Sequence, residues 1–123
     1  MEENRMIQEK LTILLENDVI DELTYQYMQD TLQFLLKEDV IQTEDDADTF
    51  VTHLAMATMR QHREEEQIDS VEPFVKAEII AAAEYREAVR LWERIKEHIQ
   101  VDFPENENDY FYLHLVTLLQ TKQ

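Results

Sequence analysis

The chain has 123 residues, 44% hydrophobic and 32% charged, a length and composition that fit one folded domain with one core rather than a disordered segment. Its 28 acidic and 11 basic residues leave a formal charge of −17, a surface that repels phosphate backbones and argues against direct binding of DNA or RNA. Glycine and cysteine are absent and proline occurs only at Pro73 and Pro104, which disfavours hairpins and a β-rich fold, and rules out glycine-rich phosphate cradles, disulfides, thiolate nucleophiles and cysteine zinc sites.

The first residues, MEENRMIQEK, have neither the basic start nor the apolar segment of an export signal, and no apolar run reaches the ~20 residues of a membrane span. A cytoplasmic chain with no membrane partner is expected. From Asn4 to Glu16, Ile7, Leu11, Leu14 and Leu15 recur at helical spacing, and Asn17-Asp18 break the pattern. A second helix runs through Leu23, Tyr27, Met28, Leu32, Leu35 and Leu36, with Asp18 or Asp21 to cap its start.

Thr43, followed by Glu44, Asp45, Asp46 and Asp48, reads as the start of a third helix, because a capping hydroxyl and early carboxylates complement the helix dipole. This helix continues through Phe50, Val51, Leu54, Ala55 and Met59, fades in Arg63-Glu64-Glu65-Glu66, and gives way to a loop around Gln67 to Val71. The longest pattern spans Pro73 to Ile99, with Ile79, Ile80, Ala83, Ala88, Leu91, Trp92, Ile95 and Ile99 as its apolar side. At ~25 residues it would be roughly 37 Å long and the spine of the molecule. Asp102-Phe103-Pro104 stops and restarts the chain, and a fifth helix with Glu105 and Glu107 in its first turn ends near Leu119. The expectation is all-α: one domain over 1–123, a compact bundle of about five helices with short connections.

Few side chains offer chemistry. Ser70 is the lone serine and reads as a residue capping or preceding the fourth helix rather than as a nucleophile. The residues three before the four histidines are Phe50, Met59, Ile95 and Phe111, so the Glu-x-x-His spacing of helical metal sites is missing, as is His-x-x-x-His. Neither a metal nor a cofactor is expected. His53 lies mid-helix among apolar residues with Arg60 two turns on, on nearly the same face. His114 shares a stripe with Glu107 and Tyr110. His62 and His98 read as surface residues, and Arg86, Arg90 and Arg94, interleaved with Glu87, Glu93 and Glu97, as solvated helix pairs. Phe103, Phe111, Tyr112 and Trp92 read as core and Tyr110 as an exception.

These two histidine settings resemble the PTS regulation domain (PRD) of bacterial transcriptional antiterminators and activators. His53-Leu54 through Met59-Arg60 is similar to the first motif of that family, and Pro104, Glu107, Tyr110 and His114 to the second. The family often has Asp immediately before its first histidine, where this chain has Thr52. The resemblance implies a regulator rather than an enzyme, phosphorylated on His114 and His53 by HPr or an enzyme IIB component, with Arg60, Glu107 and Tyr110 in support. It implies a homodimer that modulates transcription regulation in response to the sugar phosphotransferase system. Family members also carry a nucleic-acid-binding domain, for which 123 residues leave no room, so a free-standing domain is expected. Neutral imidazole is a nucleophile near pH 7 and accepts a phosphoryl group without an ATP site. Within such a site Arg60 would serve as counter-charge and Glu107 would repel. The alternative is an acidic adaptor bundle whose histidines are never modified, its acidic face holding a basic partner.

Overall fold

The computed structural model describes residues 6–65 and 69–121. Within them the chain forms six α-helices: α1 (Met6–Glu16), α2 (Glu22–Lys37), α3 (Asp48–His62), α4 (Pro73–Ala81), α5 (Tyr85–Lys96) and α6 (Glu105–Thr121), with a 3-10 turn at Glu44–Ala47 leading into α3. The fold is all-α, as expected. Asn4 and Arg5 of the expected first helix, and Glu66 to Ile68 around the expected loop, lie outside the described residues.

The acidic run from Glu44 to Asp48 serves three separate purposes. Asp46 accepts the backbone N–H groups of Gln42 and Thr43 at 3.0 and 3.1 Å and tightens the turn ahead of α3. Asp45 reaches across to accept the Ile7 N–H at 2.8 Å, satisfying a donor at the start of α1. Asp48 binds Lys10 Nζ at 2.6 Å and accepts the Thr52 hydroxyl at 3.0 Å. Of the two candidate caps for α2, Asp21 holds the position, accepting the Thr24 N–H at 2.8 Å.

Three helix ends need a left-handed residue, which glycine ordinarily supplies. Here Asp18, Asp39 and Glu64 supply it, with φ of 60°, 63° and 55°. After each one the next N–H closes back onto the helix, Val19 to Leu14, Val40 to Leu35 and Glu65 to Arg60, all at 2.9 Å. A glycine-free chain therefore ends α1, α2 and α3 with Schellman closures built on side-chain-bearing residues.

The expected long helix from Pro73 to Ile99 is two helices, and the longest helix is α6 with 17 residues. Ala82, extended at φ −66° and ψ 143°, ends α4. Periodicity explains the break. At about 100° per residue a straight helix would put Ile79 about 180° from Ala88 and about 160° from Ile95, so it could not bury both. Breaking at 82–84 lets Ile79 and the stripe of Ala88, Leu91, Trp92 and Ile95 all enter the core, while Ile80 and Ala83, expected on the apolar side, are exposed.

The spine is accordingly α3 with α6. α2 packs on α3, α3 on α6 and α6 on α5, so the two helices occupy the middle of the arrangement and α4 leans on α6. Trp92 stacks on Phe111 with centroids 4.4 Å apart, Phe50 meets Phe111 edge-on at 5.9 Å, and Trp92 donates its indole N–H to Asn108 at 2.7 Å. Phe103 joins this cluster, so the expected aromatic core is present; Tyr112 pairs instead with Tyr85 on its flank. No helix among the described residues is long and apolar enough to cross a membrane.

Candidate functional site

The interface between α3 and α6 holds all five residues singled out by sequence. His53 and Arg60, seven residues apart on α3, both reach Glu107 on α6, whose side chain is fully buried. His53 Nε2 stands 3.2 Å from Glu107 Oε1, while Arg60 grips Oε2 with Nε at 2.9 Å and a second guanidinium nitrogen at 2.8 Å. Both α3 side chains are 21% exposed, so the cluster lies just beneath the surface with the carboxylate innermost. Burial pushes the Glu107 carboxyl up, but the hydrogen bonds from His53 and Arg60 and the Arg60 charge outweigh it and hold it below its ordinary value.

An ionised Glu107 is acceptor-only, and this fixes the proton on a neutral His53. In the neutral ring Nε2 would carry the hydrogen that faces Glu107, leaving the lone pair on Nδ1. Arg60 is not a free counter-charge: its guanidinium is already paired with Glu107. Glu107 in turn is not merely a repelling neighbour but the group that orients His53.

His114 lies one ring away. Its centroid is 5.2 Å from that of His53, at a steep 65° tilt, and no hydrogen bond to it is found among the described residues. Burial first, and the neighbouring His53 second, lower its pKa from 6.5 to about 4, so the ring is neutral at pH 7. A cleft of about 230 Å³ runs beside it, lined in part by Asp46, Thr49, Phe50 and Thr117. Tyr110, one turn before His114, faces the His53 ring at 5.6 Å and packs partly buried against the core.

Two residues of the site were read from sequence as packing alone. Phe50 and Phe111 each precede a histidine by three positions, and the structure crosses the two stripes: Phe111 of α6 packs on His53 of α3 at 5.1 Å, and Phe50 of α3 faces His114 of α6 at 6.5 Å. A repeated Phe-x-x-His on two helices was the available signal, since residues three apart share a helix face. Thr52 points elsewhere, to Asp48 and Lys10, so the carboxylate paired with His53 comes from Glu107 on another helix rather than from the preceding position.

His62 and His98 are exposed, the first 3.1 Å from Asp21 and the second against the Phe34 ring. Ser70 donates to Asn106 at 2.9 Å and does not cap α4. Arg90 pairs with Glu87 on its own helix, whereas Arg94 reaches Glu38 beyond the end of α2 with two bonds of 2.9 and 3.1 Å. Among the described residues no group of three or more His, Asp and Glu side chains converges to hold a metal ion.

The sequence model of the PRD domain matches residues 25–118, a span from within α2 to within α6 that takes in His53, Arg60, Glu107, Tyr110 and His114. The chain belongs to the PRD domain family. Comparison with curated proteins and with solved structures found no match. PRD domains are helical regulatory domains that act with components of the phosphotransferase system, and this PRD accordingly has a role in that regulation. Within the matched span His53 lies on α3 and His114 on α6, the pair of helices at the centre of the fold.

Proposed function

We propose that this PRD is a phosphorylation-responsive regulator that accepts phosphoryl groups on His53 and His114 from HPr or an enzyme IIB component, works as a cytoplasmic homodimer, and modulates transcription regulation through its dimer or partner contacts. The observation that carries the reading is the meeting of the two motif histidines across α3 and α6, one oriented by a buried carboxylate and the other neutral and without a hydrogen-bond partner among the described residues.

In the transfer, a ring-nitrogen lone pair attacks the phosphorus of the donor phosphohistidine. The donor's P–N bond breaks, its ring leaves with the electron pair, and a new P–N bond forms on the acceptor. On His53 the attacking atom is Nδ1, and Glu107 stabilises the positive charge that the ring gains, as a buried carboxylate does behind a catalytic histidine. The product carries nearly two negative charges beside Glu107 and competes with it for Arg60. Because Arg60 belongs to α3 and Glu107 to α6, that competition loosens the tie between the two central helices, a local charge event able to bias a two-state packing.

The test is incubation of the purified protein with a phosphoenolpyruvate-driven relay ending in HPr or an enzyme IIB component, followed by mass spectrometry at neutral pH. Acid-labile phosphoryl groups on the wild type, and none on the His53→Ala/His114→Ala double variant, are expected. An unlabelled wild type would leave the acidic adaptor reading in possession.

A further inference from the structure

The two acceptor rings are too close to be independent sites. Their centroids are 5.2 Å apart, Phe111 packs on His53 and Phe50 faces His114, and Glu107 already contributes a buried negative charge beside one of them. Among the described residues Arg60 is the basic side chain that pairs into this cluster, and Glu107 holds it through two nitrogens. A first phosphoryl group can recruit Arg60 from Glu107. A second finds that cation spent.

We infer that phosphorylation of His53 and of His114 is mutually exclusive, so that the domain carries one phosphoryl group at a time and reads its two inputs as alternatives. The inference rests on the proposed function above. Each transfer places a group of nearly two negative charges on a ring, with the donor histidine taking the electron pair of the broken P–N bond. Two such groups at neighbouring rings repel with about four times the force of two unit charges, which disfavours the second transfer by on the order of a hundredfold even when the screening is that of bulk water. Relieving this repulsion would require α3 and α6 to part until the two rings were no longer neighbours, and with that the ring packing of Phe50 and Phe111 across the two helices would be lost.

The consequence is a selector rather than a counter. A domain marked at His114 is refractory at His53 and the reverse, so the outcome depends on which donor arrives first and on the relative transfer rates. Signals written on the two histidines then do not add.

The experiment counts groups on the intact chain. Wild type, His53→Gln and His114→Gln are incubated with a saturating phosphoenolpyruvate relay ending in HPr and measured at neutral pH, and the wild-type product is mapped by fragmentation under the same conditions. Expected are one group on each variant, one and not two on the wild type, and a singly modified wild-type population split between His53 and His114. A doubly modified wild type above a few per cent of the singly modified form would overturn the exclusion while leaving histidine phosphorylation intact. One variant failing to label, with the wild-type map confined to a single histidine, would overturn the competition between two acceptors. No label on any form would remove both the exclusion and the function on which it rests.

Discussion

His114 sits with its ring between Phe50 and His53, and its ionisation therefore differs between the folded and unfolded chain. Unfolded, it takes up a proton near 6.5; folded, burial and the neighbouring His53 withhold the proton down to about 4. Between those values the unfolded state binds more protons, so stability rises with pH across the window and falls on acidification. Nothing is lost above about pH 6.5, and the full penalty, about 3 kcal/mol, is reached once the pH is below about 4. Glu107 acts in the same direction but lower on the scale: its folded pKa is held below 4.5, so the stability it contributes is present above that value and is lost as the pH falls through the folded pKa. Urea denaturation followed by the fluorescence of the buried Trp92 separates the two. From pH 7 to pH 4.5 the wild type should lose stability and His114→Gln should lose markedly less. Parallel losses in the two proteins would mean that the His114 ring titrates normally in the fold.

Among the elements, α1, α2 and α3 end on left-handed residues other than glycine, and these are sites of avoidable strain. An L-residue in this region costs about 1–2 kcal/mol, less for Asp, whose short side chain can bond locally, than for Glu. Glu64, at φ 55° and exposed, has the weaker claim to the position. Glycine there removes the steric cost but gives the unfolded chain more freedom, worth roughly 0.5–1 kcal/mol. The balance favours Glu64→Gly by about 0.5–1 kcal/mol, read as a higher urea midpoint at unchanged slope. A lower midpoint would mean that the Glu64 side chain contributes something the closure alone does not. The break between α4 and α5 follows a different logic. No proline or glycine marks it in Ala81-Ala82-Ala83, and alanine is the best helix former, so the local preference of the chain runs against the observed structure. The burial of Ile79 together with Ala88, Leu91, Trp92 and Ile95 overrides it.

For the molecule as a whole the dominant quantity is the charge of −17. Compaction brings these charges together, and salt relieves the repulsion by shortening the screening length from about 30 Å at 0.01 M to about 8 Å at 0.15 M. Salt also weakens favourable pairs such as Arg94–Glu38 and Lys76–Glu105, but they are substantially exposed, and such pairs contribute little. The repulsion should win. A gain of about 1 kcal/mol over that range would raise the thermal midpoint by roughly 3–6 °C. A midpoint that stayed level or fell with added salt would show the ion pairs to be the larger effect.

The all-helical class, the buried face of α3 and the start and end of α6 were readable from periodicity, capping residues and the residue types that were missing. On α2 the same reading found Met28, Leu32 and Leu35 but also took in Leu23, which is exposed, and the two histidine motifs were read from the family resemblance. Periodicity and capping are local properties: spacing along a helix decides which side chains share a face, and that holds whatever the helix packs against. The division of the fourth helix was not readable, because it is decided by which apolar residues must reach one core rather than by any breaker at the break. The chemical state of the histidines was out of reach for the same reason. In the sequence His53 and Arg60 are on one helix and Glu107 on another, and Arg60 reads as a waiting counter-charge and Glu107 as a source of repulsion. Only the packing of α3 on α6 brings Arg60 to Glu107, turns the carboxylate toward His53 Nε2, and sets the His114 ring 5.2 Å away, because these relations depend on distances across an interface that no spacing within a helix encodes.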